Sequence, residues 1–105
     1  MPDLEYVASH LSEEELLCQI AEEASELAQA ALKLRRAITQ HNPTPKTPED
    51  ALKGLWEEYE DLLNALNAYV IKTGNEDDGY PTVAKQKLHR WADRIKEKEN
   101  KNHEN

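Results

Sequence analysis

The sequence predicts an all-α fold: a small helical bundle of about three main helices, completed by homo-oligomerisation. Apolar residues recur at helical spacing through three long segments. Capping residues, prolines and a glycine bound those segments, and no alternating strand pattern or internal repeat interrupts them. Phe is absent from the 105 residues, so Leu, Ile and Ala must supply most of the core. A chain of this length buries only ~60–70% of the surface its unfolded form exposes. Association with a second copy, as a homodimer or homotetramer, is the expected way to bury more.

The first helix opens at Ser12-x-x-Glu15, a capping-box pattern. Leu16, Ile20, Ala24, Leu27, Ala31, Leu34 and Ile38 then follow on one stripe. It should stop near Gln40, because His41-Asn42-Pro43-Thr44-Pro45 cannot continue a helix. The second helix begins with Thr47 as N-cap, Pro48 at the first helical position and Asp50 closing a box. Its stripe is Leu55, Tyr59, Leu62, Leu66 and Val70, and Gly74 is a natural stop. After a polar turn over Asn75–Tyr80, Pro81 or Thr82 opens a third helix with Val83, Leu88, Trp91 and Ile95 as its apolar face. Residues 1–98 are expected to form one domain and 99–105 a polar, disordered tail.

The formal net charge of −8 argues against a nucleic-acid polymer as partner, since backbone binding needs an excess of Lys and Arg. No apolar run approaches the ~20 residues of a membrane span, and no basic start precedes an apolar stretch. A soluble, cytoplasmic protein without membrane partners is expected. Cys18, the single cysteine, cannot form an internal disulfide and reads as an ordinary free thiol. The four histidines are scattered and no pair has ligand spacing.

Two acidic clusters stand out: Glu22-Glu23-x-x-Glu26 in the first helix and Glu57-Glu58-x-x-Asp61 in the second. Acids at i and i+3 emerge from the same side of a helix with Cβ atoms roughly 5–6 Å apart. Glu23 with Glu26, and Glu58 with Asp61, are therefore two matched pairs at the edge of an apolar stripe. Packed together, the helices would gather four carboxylates in one small volume. Like charges so placed resist ionisation unless a cation sits among them, so the pattern points to a metal.

These residues resemble the signature of the MazG-like nucleoside triphosphate pyrophosphohydrolases, in the all-α NTP-pyrophosphatase superfamily. That signature is E-E-x-x-E on one helix and E-x-x-D on the next, matched here by Glu22-Glu23-Ala24-Ser25-Glu26 and Glu58-Tyr59-Glu60-Asp61. The likeness runs through Leu16–Leu34 and Leu55–Asn67, and more loosely into the basic third helix. It implies that Glu23, Glu26, Glu58 and Asp61 hold Mg²⁺, or Mn²⁺ in its place. It leaves Glu22 a supporting or base-like role. The linker between the motifs is longer than is usual in the family, and Glu60 stands where many members have a small residue. Glu60 falls away from the ligand flank and should face solvent; neither departure removes a ligand.

The resemblance implies metal-dependent hydrolysis of a (deoxy)nucleoside triphosphate to the monophosphate and pyrophosphate, in the service of nucleotide-pool house-cleaning. Glu22 or Glu26 would take the proton of the attacking water. Lys33, on the same flank as Glu26 about two turns on, and Lys85, Lys87, Arg90 and Arg94 of the third helix are the candidates for holding phosphate. Trp56 is a candidate for stacking on a base, whereas Trp91 fits the apolar stripe. A di-iron carboxylate bundle would need Glu-x-x-His on two helices, and Gln86, not Glu, stands three residues before His89. The main alternative is a non-catalytic helical oligomerisation module, whose acids only solvate the bundle and confer no Mg²⁺-dependent stabilisation. Within the superfamily, action on dUTP or phosphoribosyl-ATP stays open.

Overall fold

The computed structural model describes residues 2–104, and among them forms four helices and no strand. These are α1 (Pro2–His10), α2 (Glu13–Thr39), α3 (Pro48–Thr73) and α4 (Tyr80–Glu104). The all-α class is as expected, but α1 is a helix beyond the three expected. Pro2 occupies its first position, and Asp3 and Glu5 in the first turn suit the positive end of the helix dipole. The helix is closed by local bonds. Ser9 Oγ donates to Tyr6 O at 2.8 Å, and Leu11 N–H donates to Val7 O at 3.1 Å. No helix among the described residues is long and apolar enough to cross a membrane.

The cap of α2 forms as its sequence pattern predicts. Glu15 N–H donates to Ser12 Oγ at 3.1 Å, and Ser12 N–H donates to Glu15 Oε1 at 3.3 Å. At the other end Gln40 takes a left-handed conformation with φ 55°, unusual for a residue other than glycine. Its side-chain amide donates to Ala37 O at 3.0 Å and its N–H to Arg36 O at 2.8 Å, which satisfies two terminal carbonyls. At the start of α3, Asp50 N–H donates to Thr47 Oγ1 at 3.1 Å, but the return bond expected from the Asp50 side chain does not form. An aspartate is one methylene shorter than the glutamate that closes the box on α2. Gly74, with φ 73°, ends α3 and donates to Val70 O at 2.7 Å.

The chain divides into two compact units, residues 1–75 and 76–105. In the first, α2 and α3 pack as an antiparallel hairpin, and α1 lies against α3. The hairpin's register shows at its open end, where Tyr69 Oη donates to Glu13 Oε1 at 3.4 Å. Its core is made largely of small residues: Ala8, Ala30, Ala37, Ala51, Ala65 and Ala68 are buried, and among the described residues Leu16 is the one large side chain sealed with them.

This core is rotated from the expected stripes. On α2, Ala24, Ala31 and Ile38 are exposed, while Ala30 and Ala37 are buried. Steps of four residues drift around a helix of 3.6 residues per turn, and packing follows the line Leu16, Glu23, Leu27, Ala30, Leu34, Ala37 instead. On α3, Tyr59 and Leu66 are likewise exposed, and Ala51, Ala65 and Ala68 take the buried positions. The rotation carries Glu23 and Glu58 from the edge of the apolar stripes to half-buried positions in the seam.

The second unit consists of α4 and the turn before it. The apolar residues expected on its face, Val83, Leu88, Trp91 and Ile95, are all exposed. Trp91 is therefore not a core residue of the monomer. The helix runs past Lys98 to Glu104, so the residues expected as a disordered tail are helical that far. No Pro or Gly follows Lys98 to stop it, and Glu97 with Lys101 is a favourable i, i+4 pair.

Candidate functional site

Antiparallel packing of α2 on α3 sets the two acidic motifs against each other. One carboxylate oxygen from each of Glu23, Glu26 and Glu58 can be chosen so that all three lie within 4.8 Å of one another. Asp61 stands outside this trio and is exposed, yet its charge acts on both Glu23 and Glu26. Three of the four expected carboxylates thus converge, and the fourth flanks them.

The trio is short of partners. Gln19 Nε2 donates to Glu23 Oε1 at 2.7 Å, but Glu23 Oε2 and Glu58 Oε2 are buried without a hydrogen bond. No Lys or Arg among the described residues makes an ion pair with the cluster. The electrostatic consequence is direct. Desolvation raises the Glu23 carboxyl above its ordinary range, the Gln19 hydrogen bond opposes that rise, and the charges of Glu26 and Asp61 add to it. Glu26 is raised chiefly by hydrogen bonding with the Glu58 carboxyl, then by the charge of Glu58 and by desolvation. In the absence of a cation, Glu23 and Glu26 therefore favour retaining protons.

An all-oxygen acidic donor set with two orphaned buried oxygens fits a hard divalent cation such as Mg²⁺ or Mn²⁺. Among the described residues the cluster includes no thiol or imidazole, so it offers a metal oxygen ligands alone.

Two clefts border the carboxylates. The larger, about 610 Å³, reaches Glu23 and Asp61 and is walled by Leu4, Val7 and Leu11 at the N-terminal end and by Leu16, Ala65 and Ala68 of the hairpin. Asp3, Gln19 and Asn64 are further polar groups in its lining. The smaller, about 340 Å³, is polar and reaches Glu26 and Glu58, with Lys33, Lys46 and Gly54 in its lining. One cleft is thus mainly apolar and the other carries two lysines.

The remaining expected residues are placed as follows. Glu22 is exposed and lines a shallow hollow with Glu14, Glu15 and Cys18, not the trio. An i−1 neighbour of Glu23 is turned about 100° around the helix, which explains the separation. Lys33 lines the polar cleft. Lys85, Lys87, Arg90 and Arg94 belong to α4 in the second unit and are exposed there. Lys85 and Arg90 share a hollow with His89, whose Nε2 lies 3.3 Å from Asp93 Oδ2. Trp56 is exposed and makes an edge contact with Tyr59, ring centroids 5.6 Å apart. Glu60 is exposed, as its place on the wheel implied.

Sequence reading missed three contributors. Gln19 stands four residues before Glu23, the spacing of facing side chains on a helix, so its role was open to detection. Lys46 lies in the Pro-rich linker, where no periodicity indicates direction. The α1 wall was missed along with its helix. No protein-family model, no characterised protein and no solved structure matches this chain.

Proposed function

We propose that this protein is a divalent-metal-dependent nucleotide pyrophosphohydrolase, cleaving the α–β anhydride of a nucleoside triphosphate to give the monophosphate and pyrophosphate. The observation that carries the reading is the carboxylate trio of Glu23, Glu26 and Glu58, with two buried oxygens lacking any protein partner. The likeness of the two motifs to those of the MazG-like enzymes supplies the reaction class.

Glu23, Glu26 and Glu58 would hold the cation, with Asp61 beside them. When bound, a cation of this kind neutralises phosphate charge and favours ionisation of water at neutral pH. The chain's own groups divide the remaining work. Gln19 fixes Glu23 by its hydrogen bond and leaves the second oxygen free. Glu26, whose carboxylate lies in the trio and lines the polar cleft, accepts the proton of the attacking water at a carboxylate oxygen. Lys33 and Lys46 receive the phosphate chain in the polar cleft. The mainly apolar cleft beside Glu23 and Asp61 takes the sugar and base, with Asn64 and Gln19 as polar contacts.

A homodimer or homotetramer belongs to the same proposal. Leu17, Leu52, Trp56 and Ile71 of the first unit are between 43% and 56% exposed, large apolar side chains on the surface that a second copy would cover. That surface also supports the rival reading, a non-catalytic oligomerisation module. Incubation with a panel of (d)NTPs, in Mg²⁺ and in EDTA, separates the two. Monophosphate with pyrophosphate, formed only with metal, is expected. Diphosphate with phosphate rejects α–β cleavage, and no turnover together with no Mg²⁺ shift in Tm favours the module.

A further inference from the structure

A third cleft, of about 480 Å³, lies at the C-terminal end of α2 and is lined by Lys33, Arg35, Arg36 and His41. No carboxylate lines it, in a chain whose acids outnumber its Lys and Arg by 21 to 13. None of Lys33, Arg35 and Arg36 is ion-paired among the described residues, and Arg36 Nε is buried with no hydrogen-bond partner. Cations near a helix C-terminus ordinarily answer the dipole, which amounts to about half an elementary charge. Of the three, only Arg36 stands in the last turn of α2, so Lys33 and Arg35 do not answer the dipole, and the cleft is left with positive charge that no protein group neutralises.

We propose that this cleft is an oligophosphate-binding site distinct from the carboxylate cluster. Two guanidinium groups and an ammonium suit the several oxygens of a pyrophosphate moiety, because arginine presents its N–H donors as a fork to adjacent phosphate oxygens. Lys33 lines both this cleft and the polar cleft beside Glu26 and Glu58, so an anion here draws on a side chain shared with that cleft. The inference stands on the cations and does not depend on the carboxylates holding a metal.

The test is calorimetric titration of the full chain with inorganic pyrophosphate in EDTA. Saturable binding is expected, weakened at least about tenfold in Arg35→Glu, as loss of a charge-assisted bond implies. Lys72→Glu, the same charge change on exposed α3 surface, should leave binding intact. Repeating the titration with ATP in EDTA identifies the source of the anion. Equal affinity assigns the site to a free pyrophosphate moiety, and tighter binding of ATP assigns it to the phosphate chain of a nucleotide. The paired variant Glu23→Gln/Glu58→Gln should still bind pyrophosphate. Absence of saturable binding, equal weakening by Arg35→Glu and Lys72→Glu, or loss of binding in the paired glutamine variant each overturns the proposal. Circular dichroism confirms that the variants fold.

Discussion

Gln19 Nε2 donates to Glu23 Oε1 at 2.7 Å, while the second oxygen of the same carboxylate is buried with no partner. One oxygen is thereby oriented and the other is left in a crowd of negative charge with Glu26 and Glu58. This arrangement opposes stability in the absence of a cation and favours it when one is present. Glu23→Gln should therefore raise Tm in EDTA, because it removes one of the crowded charges. In Mg²⁺ at about 100 times Kd, wild type should gain about 2.7 kcal/mol, or roughly 10 °C or more in a domain of this size. The variant should lose most of that gain. Under the proposed function Glu23→Gln and Asp61→Asn also abolish turnover with helicity intact. Thermal melts with and without Mg²⁺ decide the matter: identical metal responses in wild type and Glu23→Gln reject the trio as ligands.

The same crowding sets a pH dependence. Glu23 and Glu26 both hold protons above the ordinary carboxylate range. A carboxyl raised in this way binds more protons folded than unfolded between its unfolded and folded pKa values. Stability therefore falls as pH rises through that interval, which starts near the unfolded value of about 4.3. In EDTA the protein should melt at a lower temperature above the interval than at its lower edge. Glu26→Gln, which removes one of the two groups, should flatten the slope. Mg²⁺ affinity should climb over the same interval, since a cation must displace the retained protons. Tm against pH in EDTA for the two proteins is the measurement, and parallel curves count against the coupling.

The parts of this fold legible in sequence are those decided locally. Ser12-x-x-Glu15, Thr47-Pro48 and Gly74 specify helix ends through bonds to residues a few positions away, and the ends lie where those signals place them. The convergence of Glu23, Glu26 and Glu58 follows from i, i+3 spacing once two helices pack. The rotation of the core was harder to read, because alanine carries little weight in a hydrophobic stripe and yet five alanines of α2 and α3 occupy the buried seam. The first helix is only nine residues long, too short for periodicity to dominate. Its signal is present all the same: Leu4, Val7 and Leu11 recur at helical spacing after Pro2. Lys46 reaches its cleft through a linker whose path depends on tertiary packing, and nothing in its neighbours announces that.

Ser12 closes both halves of its capping box, whereas Thr47 closes one. Ser12→Ala leaves Glu15 N–H without its acceptor and weakens the return bond from Glu15. A loss of about 1–2 kcal/mol is expected for Ser12→Ala and about 1 kcal/mol or less for Thr47→Ala. Urea midpoints at constant m-value measure both. A larger loss at Thr47 shows that its hydroxyl does more than cap, for instance by holding the linker that carries Lys46.

Gly54 sits within α3, where a glycine costs roughly 0.5–1 kcal/mol relative to alanine. A Cβ built at this position meets nothing within 4 Å, and Gly54 lines the polar cleft with Lys33 and Lys46. Nothing in the folded chain therefore opposes Gly54→Ala, which should stabilise the protein by about 0.5–1 kcal/mol. Denaturant midpoints measured with the oligomeric state give the discriminating result. A gain in stability with unchanged assembly means the space over Gly54 is open in solution. A loss of stability accompanied by dissociation means that a second copy packs on this glycine, which puts the polar cleft at a subunit boundary.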